Sequence, residues 1–332
     1  MKRFASIVAA VAAFGLGLSA CGGGATTGPS APGGASPGDK TYEIGAVTIV
    51  SHPALDAISA GFQEGLREAG IAFNYDFQNP QGDQATLASI ANTFASSKKD
   101  LYLAIATPPV QALAQSIKDA PIVFAAVTDP KVAGVVDSWE RPGGNVTGMS
   151  DLSPVKEQLA LVKEIKPDAK TVGIVYSSSE ANSQVLVDLA TKEAPALGLE
   201  IKTATVVNTS EVGQAAESLA VDAYYVLTDN TVVTAVESIV QVAETNKRLV
   251  IAADTGSADR GAAAALSLDY HKQGKQAAAM AVKILRDGAK PADLPVETQK
   301  ELDLVVNAKA AAAQGVTLPE SVTKRAVKTI QG

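Results

Sequence analysis

Polar side chains suited to binding chemistry follow most of the apolar, strand-like runs of this 332-residue sequence. Three acids, Asp129, Asp229 and Asp254, could pair with a cationic group in a partly desolvated place, where a charge-assisted hydrogen bond is strong. Hydroxyl groups and the free N–H groups of helix N-termini could bind an anionic group. The candidate binding residues are His52, Thr107, Pro108, Thr128, Asp129, Ser150, Asp151, Tyr176, Ser178, Ser179, Asn182, Ser183, Thr228, Asp229, Asn230 and Asp254.

Each candidate also has a plainer interpretation, because Ser, Thr, Asp and Asn are favoured at turns and helix N-caps whatever their function. The serine run 177–179 fits a cap and turn as well as it fits an anion site. For Asp229, the following Asn230 or Thr231 could cap the next helix and leave the Asp229 carboxylate free. We therefore expect Asp229 to meet a cationic ligand group, with Asp129 approaching from the opposite wall.

The elements that must position these residues follow an alternating strand and helix pattern. The strand-like runs of a first series are YEIGAVTIV (42–50), IAFNYDFQ, DLYLAIA and PIVFAAV (121–127), and those of a second series are TVGIVY, LEIKTATVV, DAYYVL, RLVIAA and AAALSLD. The break RPGGN (141–145) separates the two series, and TVVTAVESIVQVAETN is predicted to form one helix. This alternation is typical of parallel sheets covered by helices, with ligands outside the strand carboxyl ends. The sequence predicts an α/β protein of two doubly wound parallel-sheet lobes with a ligand cleft between them.

Composition and motifs exclude several classes of function. Without Lys2 and Arg3 the chain carries 26 basic against 35 acidic residues, a formal charge of −9 that argues against a nucleic-acid partner. No G-x-S-x-G, H-E-x-x-H, Walker or G-x-G-x-x-G motif is found in the body of the sequence. The two histidines, His52 and His271, have no spacing that matches a metal-ligand motif. We therefore predict no catalytic residues, no metal site and no cofactor.

The N-terminal residues indicate export and anchoring. Basic residues and a short apolar run precede LSAC (18–21), which resembles the lipobox of bacterial lipoproteins, and Cys21 is the one cysteine of the sequence. A Gly, Ser and Pro-rich tract follows. We expect residues 1–20 to be a signal peptide, residues 21–40 a flexible tether, and Cys21 to carry the lipid that holds the protein at the membrane.

Several segments of the body together resemble a known family. They are SHPALDA, NPQGDQATLASIA, LAIATPPVQA, PIVFAAVTDP, RPGGNVTGMSD, VGIVYSSSEANS, YYVLTDNTV and KPADLPVE. The chain is similar to the substrate-binding lipoproteins of ABC transporters associated with tryptophan and other aromatic amino acids. The resemblance implies a type I periplasmic-binding-protein fold with three crossings, near 146–152, 266–271 and 296–301. It implies a first lobe of residues 41–148 plus 270–298 and a second of residues 149–269 plus 299–332.

The resemblance also implies the function. The protein is expected to be an extracytoplasmic, lipid-anchored and monomeric component of an ABC importer. It would capture a small ligand, an amino acid with aromatic ones favoured, and deliver it to the permease. Tyr176 is a candidate for stacking on the ligand, whereas Trp139 is predicted to pack in a loop. The alternatives are a ligand sensor of the same fold, the core of a sugar-responsive repressor, which would need a helix-turn-helix, and an enzyme.

Overall fold

The computed structural model describes residues 40–331 and shows an alternating α/β chain. The predicted signal peptide, the tether up to residue 39 and Cys21 lie outside the described residues. The first series of elements is β1 (Thr41–Thr48), α1 (Pro53–Glu68), β2 (Ala72–Gln78), α2 (Gln84–Ser96), β3 (Leu101–Ile105), α3 (Thr107–Ser116), β4 (Ile122–Ala125) and β5 (Val146–Ser150).

The second series is α4 (Val155–Ile165), β6 (Thr171–Ser177), α5 (Ala181–Glu193), β7 (Glu200–Val206), α6 (Val212–Glu217), β8 (Ala223–Val226), α7 (Asn230–Thr234), α8 (Val236–Asn246), β9 (Leu249–Ala252), α9 (Thr255–Asp259) and β10 (Ala264–Ser267). The closing elements are α10 (Tyr270–Leu285), β11 (Glu297–Thr298), β12 (Asp303–Asn307), α11 (Ala308–Ala313), α12 (Glu320–Thr323) and β13 (Lys328–Ile330). Short 3₁₀ turns at Ala194–Leu197, Thr209–Glu211 and Pro291–Asp293 connect some of them.

The strands form two sheets, one in each lobe. The first has the order β11-β5-β4-β3-β1-β2, and all its neighbouring strands are parallel. The second has the order β13-β12-β10-β9-β8-β6-β7, and it is parallel except where β12 runs antiparallel to β10. The predicted fold class is confirmed. Helices cover both faces of each sheet, so the central strands β3, β4, β8 and β9 are buried throughout instead of alternating, whereas the edge strands β2 and β7 are partly exposed.

The chain passes between the two sheets three times, after β5, before α10 and between β11 and β12. Strand β5 continues to Ser150, so the predicted boundary between residues 148 and 149 falls inside a strand of the first sheet. The 270–298 segment returns to the first lobe, where β11 pairs with β5. The last two strands belong to the second sheet.

One predicted helix is divided in two. Instead of a single helix over 231–246, α7 ends at Thr234 and α8 begins at Val236. The side chain of Arg260 stabilises the break, because its guanidinium donates hydrogen bonds of 2.6 and 2.9 Å to the carbonyl oxygens of Val233 and Thr234. Carbonyl groups left open at a helix end need such donors.

Helices α1 and α10 pack against each other with unusually little space between their backbones. A Cβ atom at Gly61 would lie 2.1 Å from the carbonyl oxygen of His271, and one at Gly274 would lie 2.2 Å from that of Ile58. Glycine is therefore required at both positions. The contact joins the middle of α1 to the first turns of α10, which begins at Tyr270.

Each lobe has its own apolar core. The first core joins the β1, β3 and β4 strands to α1, α2 and α10, and it includes Phe62, Phe94 and Tyr102. The second sheet has one core on each face, around Tyr225 on one side and Tyr224 on the other. Within residues 40–331, no helix has the length and apolar character needed to cross a membrane.

Candidate functional site

A small cavity of about 20 Å³ lies between the lobes, at the carboxyl ends of the strands. Its lining residues are His52, Ala54, Leu55, Ala126 and Thr128 from the first lobe, Asp151 and Tyr270 from the crossing segments, and Asn182, Thr228, Asn230, Val233 and Asp254 from the second lobe. This space holds about one water molecule, and a larger ligand requires its walls to move apart. Of the predicted residues, the structure brings His52, Thr128, Asp151, Asn182, Thr228, Asn230 and Asp254 together here.

A wider, open cleft lies beside this cavity. Its walls are the segments 49–51 and 79–84 of the first lobe and 179–180, 207–209 and 230–234 of the second. Asn230 lines both spaces, and Ser51 of the cleft directly precedes His52 of the cavity. The cavity therefore lies at the inner end of the cleft between the lobes.

Asp151 is a buried carboxylate on the first crossing segment. Its Oδ2 atom accepts a hydrogen bond of 3.0 Å from the hydroxyl of Tyr270, and its Oδ1 atom lies 3.4 Å from the hydroxyl of Thr128. Burial raises the pKa of Asp151 to about 6, although these two donors favour the charged form and oppose the shift. The carboxyl group is therefore mostly, but not fully, ionised at neutral pH.

His52 occupies the N-cap position of α1 in the first-lobe wall and makes no side-chain capping bond. Burial lowers its pKa below the ordinary value, while the negative charge of Asp254 opposes the shift most strongly among its neighbours. The imidazole is thus neutral at pH 7. Asp254 caps helix α9, since its carboxylate accepts bonds of 2.9 and 2.6 Å from the backbone N–H and the hydroxyl of Ser257.

Three polar atoms of the cavity wall are buried and have no hydrogen-bond partner among the described residues. They are Nδ1 of His52, Oδ1 of Asn182 and Oγ1 of Thr228. A buried polar atom left unpaired costs about 1 to 3 kcal/mol, so such atoms are uncommon in folded proteins. Three of the five such side-chain atoms in the described residues lie around this one cavity, where they are available to a hydrogen-bonding partner.

Asp229 does not lie in the cavity, and the prediction that its carboxylate stays free of a capping role is wrong. Asp229 itself is the N-cap of α7, where Oδ1 accepts from the N–H of Val232 at 2.8 Å. Its Oδ2 accepts 2.6 Å bonds from the N–H of Ser177 and the hydroxyl of Ser183. Burial and the nearby charge of Glu180 raise the pKa of Asp229 to about 7. The Asp229 carboxyl group therefore makes its hydrogen bonds inside the second lobe and not with the cavity.

Asp129 also lies outside the cavity wall, because its carboxylate closes a local turn. Its Oδ1 atom accepts hydrogen bonds from the backbone N–H groups of Lys131 and Val132 at 2.9 and 3.1 Å. The indole N–H of Trp139 lies 3.4 Å from the same atom. Trp139 packs against the core of the first lobe.

The remaining predicted residues support the walls or face elsewhere. Thr107 and Pro108 are buried in the first turn of α3, and Ser150 donates to the carbonyl oxygen of Thr128 at 2.8 Å. Ser178 is exposed, Ser179 lines the open cleft, and Ser183 contacts Asp229. Tyr176 is half-buried, with its hydroxyl 3.4 Å from Gln184, and does not line the cavity.

Sequence reasoning missed Glu180 and Tyr270. Glu180 is 5% exposed, and its carboxylate accepts hydrogen bonds from Asn182, Asn230 and Thr231. It is the one acid in the serine-rich turn after β6, which was a usable signal. Tyr270 begins α10 directly after its N-cap Asp269, and it lies three residues after the end of β10. Its position near a strand end was therefore also a usable signal. Within the described residues, no group of three or more His, Cys, Asp or Glu side chains could hold a metal ion.

Two α/β lobes, three crossings and a polar cavity enclosed between the strand ends define a two-lobed solute-binding protein. The chain matches the ABC transporter substrate binding protein family over residues 43–330 and belongs to it. This is a family of extracytoplasmic binding subunits of ABC transporters, not of enzymes. A relative named tyrosine-binding protein, from Clostridioides difficile, is 41% identical over 274 residues, which cover 81% of this chain and 79% of the relative.

Two solved structures bear on the arrangement of the lobes. The L-Trp complex of an ABC domain from Streptococcus pneumoniae shares 38% identity, covers 88% of this chain and all of its own, and has a TM-score of 0.84. The ligand-free, open structure of a substrate-binding protein with adhesive properties from Clostridium difficile shares 39% identity over the same portions, with a TM-score of 0.68. At nearly equal identity, this structure therefore superposes better on the tryptophan complex than on the open, ligand-free protein.

Proposed function

We propose that this protein captures an aromatic amino acid between its lobes and delivers it to an ABC permease. The observation that carries the proposal is the enclosed cavity, which combines two buried carboxylates with unpaired polar atoms from both lobes. The names of the similar proteins, which bind tyrosine and tryptophan, support an aromatic ligand.

The lining residues suit the two ends of such a ligand. Asp151 and Asp254 supply negative charge for the ammonium group, which a desolvated site binds strongly. The apolar side chains of Leu55 and Val233, from opposite lobes, offer packing surface to a ring. Because the wall residues come from both lobes, a ligand in the cavity favours the closed arrangement over the open one.

Anchoring is part of the proposal. The apolar leader, the LSAC segment and the Gly, Ser and Pro-rich tract support cleavage before Cys21 and lipidation of its thiol. The two lobes would then reach the permease on a tether of about twenty residues, acting as a monomer.

Calorimetric titration of the delipidated protein tests the ligand class. We expect saturable binding of L-tryptophan, L-tyrosine or L-phenylalanine, with much weaker binding of L-leucine and none of glucose. Binding of a sugar or of leucine in preference to all three aromatic amino acids would refute the proposal. An uptake assay tests delivery to the permease. Deletion of the gene should abolish cellular uptake of the radiolabelled amino acid that the protein binds, whereas unchanged uptake would favour a sensing role.

A further inference from the structure

We infer that Glu180 determines the polarity of the second-lobe wall, by holding the side-chain amide of Asn182 with its oxygen toward the cavity. This inference rests on the proposed amino-acid ligand and adds a residue that selects for its ammonium group. Glu180 would act as a positioning residue, because it lines the outer cleft and not the cavity.

The carboxylate of Glu180 is saturated with donors. Its Oε2 atom accepts from the backbone N–H of Asn230 at 3.1 Å, from the amide Nδ2 of Asn230 at 2.6 Å and from the amide Nδ2 of Asn182 at 3.2 Å. Its Oε1 atom accepts from the backbone N–H and the hydroxyl of Thr231 at 3.0 and 2.9 Å. A carboxylate is the one side chain of this length that can accept all five bonds, because it carries no donor.

These bonds determine how the Asn182 amide is turned. Its nitrogen donates to Glu180 and, at 3.1 Å, to the carbonyl oxygen of Thr228, so both N–H groups are used away from the ligand. Its oxygen is left buried in the cavity wall without a partner. Asn182 is only 4% exposed, so bulk solvent has little access to that oxygen. The wall therefore offers an acceptor, and it favours a ligand that brings a hydrogen-bond donor.

The sharpest test is discrimination between an amino acid and the same molecule without its ammonium group. L-tyrosine and 3-(4-hydroxyphenyl)propanoate form one such pair, and L-tryptophan and indole-3-propanoate form another. Because an unpaired buried acceptor is costly, the wild-type protein should prefer the amino acid by at least about tenfold. General destabilisation would weaken both ligands alike and leave that ratio unchanged.

Glu180→Gln replaces one acceptor oxygen by a donor nitrogen. At least one backbone N–H, of Asn230 or of Thr231, then faces another donor. The Asn182 amide also loses its charged partner. We expect the preference for the amino acid to fall to about twofold or less. The matched control is Glu217→Gln, an exposed glutamate of helix α6 in the same lobe, which should keep the wild-type ratio.

A folded Glu180→Gln protein with the wild-type ratio would overturn the inference. If that variant does not fold, the same preference is measured in Asn182→Leu, which removes the oxygen that Glu180 is inferred to orient. An unchanged ratio in Asn182→Leu also refutes the inference, and a reduced one supports it. Failure of the wild-type protein to bind any aromatic amino acid is a distinct result that refutes the proposed function together with this inference.

Discussion

The hydroxyl of Tyr270 donates a 3.0 Å hydrogen bond to Oδ2 of Asp151, and this bond joins two of the segments by which the chain passes between its lobes. Both residues are buried and line the ligand cavity. Because Tyr270 begins α10, which packs closely on α1, the bond connects the cavity to the rigid helix pair of the first lobe. The crossing segments and the cavity wall therefore share these two side chains.

Replacement of Tyr270 by Phe removes that donor while it keeps the ring. Because the buried Asp151 carboxylate then lacks its best partner, we expect a loss of about 1 to 3 kcal/mol in the free energy of unfolding at pH 7. Urea denaturation measures it. Tyr176→Phe is the control, since the one hydrogen bond of the Tyr176 hydroxyl is long, at 3.4 Å, and its partner Gln184 is exposed. Equal effects of the two substitutions would show that the hydroxyl of Tyr270 contributes nothing specific.

The raised pKa of Asp229 predicts a pH dependence of stability. A carboxyl group whose pKa is about 7 in the folded protein and about 4 in the unfolded chain binds more protons when folded across that window. Its contribution to stability is therefore complete below pH ~4 and is lost as the pH rises through ~7. Replacing Asp229 by Asn should remove this part of the pH dependence, measured by denaturation between pH 4 and pH 8.

The control for that experiment is Asp188→Asn, an exposed aspartate of α5 in the same lobe. Its profile should follow the wild type. Asp151, whose pKa is about 6, also lowers the free energy of unfolding as the pH rises from ~4 to ~6, and it does so in all these proteins. The role of Asp229 is therefore read from the difference between the variant and wild-type profiles. A wild-type pH profile in Asp229→Asn would show that Asp229 ionises normally.

Ligand affinity should depend on Asp254 and not on Asp129. Asp254→Asn removes negative charge from the cavity wall, and an ammonium group buried there without its partner typically costs about 2 to 5 kcal/mol. We expect at least a tenfold loss of affinity for the aromatic amino acid by calorimetry. Asp129→Asn, outside the cavity, should change affinity less than about twofold. A larger loss of affinity in Asp129→Asn than in Asp254→Asn would instead indicate that the ammonium group contacts Asp129.

The contact between α1 and α10 should not tolerate a methyl group. Gly274→Ala places a Cβ atom 2.2 Å from the carbonyl oxygen of Ile58, so the helices must separate, at a cost of about 3 kcal/mol or more. Thermal unfolding measures the loss. Gly213→Ala is the matched control, since a Cβ in that helix would have its nearest neighbour at 3.6 Å, and it should be neutral or slightly stabilising. A stable Gly274→Ala protein would contradict this packing.

Cys21→Ser tests the proposed anchor. Without the thiol no acyl chain can be attached, so the protein should move from the membrane fraction to the soluble fraction with its ligand affinity unchanged. Fractionation and mass spectrometry of the intact protein measure both properties. A wild-type protein without acyl mass, or a serine variant that stays in the membrane, would eliminate lipidation at this site.

The sequence by itself was sufficient for the fold class and for the general location of the site. Strand and helix periods are local properties, and in parallel sheets the strand carboxyl ends necessarily share one edge. Residues that directly follow strands, such as Thr128 and Asp151, are therefore predictable as neighbours of the cavity from their positions in the sequence. The break between α7 and α8 was not visible, because it depends on Arg260, which follows three elements later, directly after α9.

Only the tertiary structure decided which strand-end acid lines the cavity. Asp229 follows β8 and Asp254 follows β9, and each caps the next short helix in the same way. Locally the two are equivalent, and the sequence favoured Asp229. In the folded lobe, Ser177 and Ser183 donate to the Asp229 carboxylate and cover it, whereas Asp254 lies in the wall of the cavity. The difference arises from neighbours about fifty residues away along the chain, which only the packing of β6 and α5 beside β8 brings into contact.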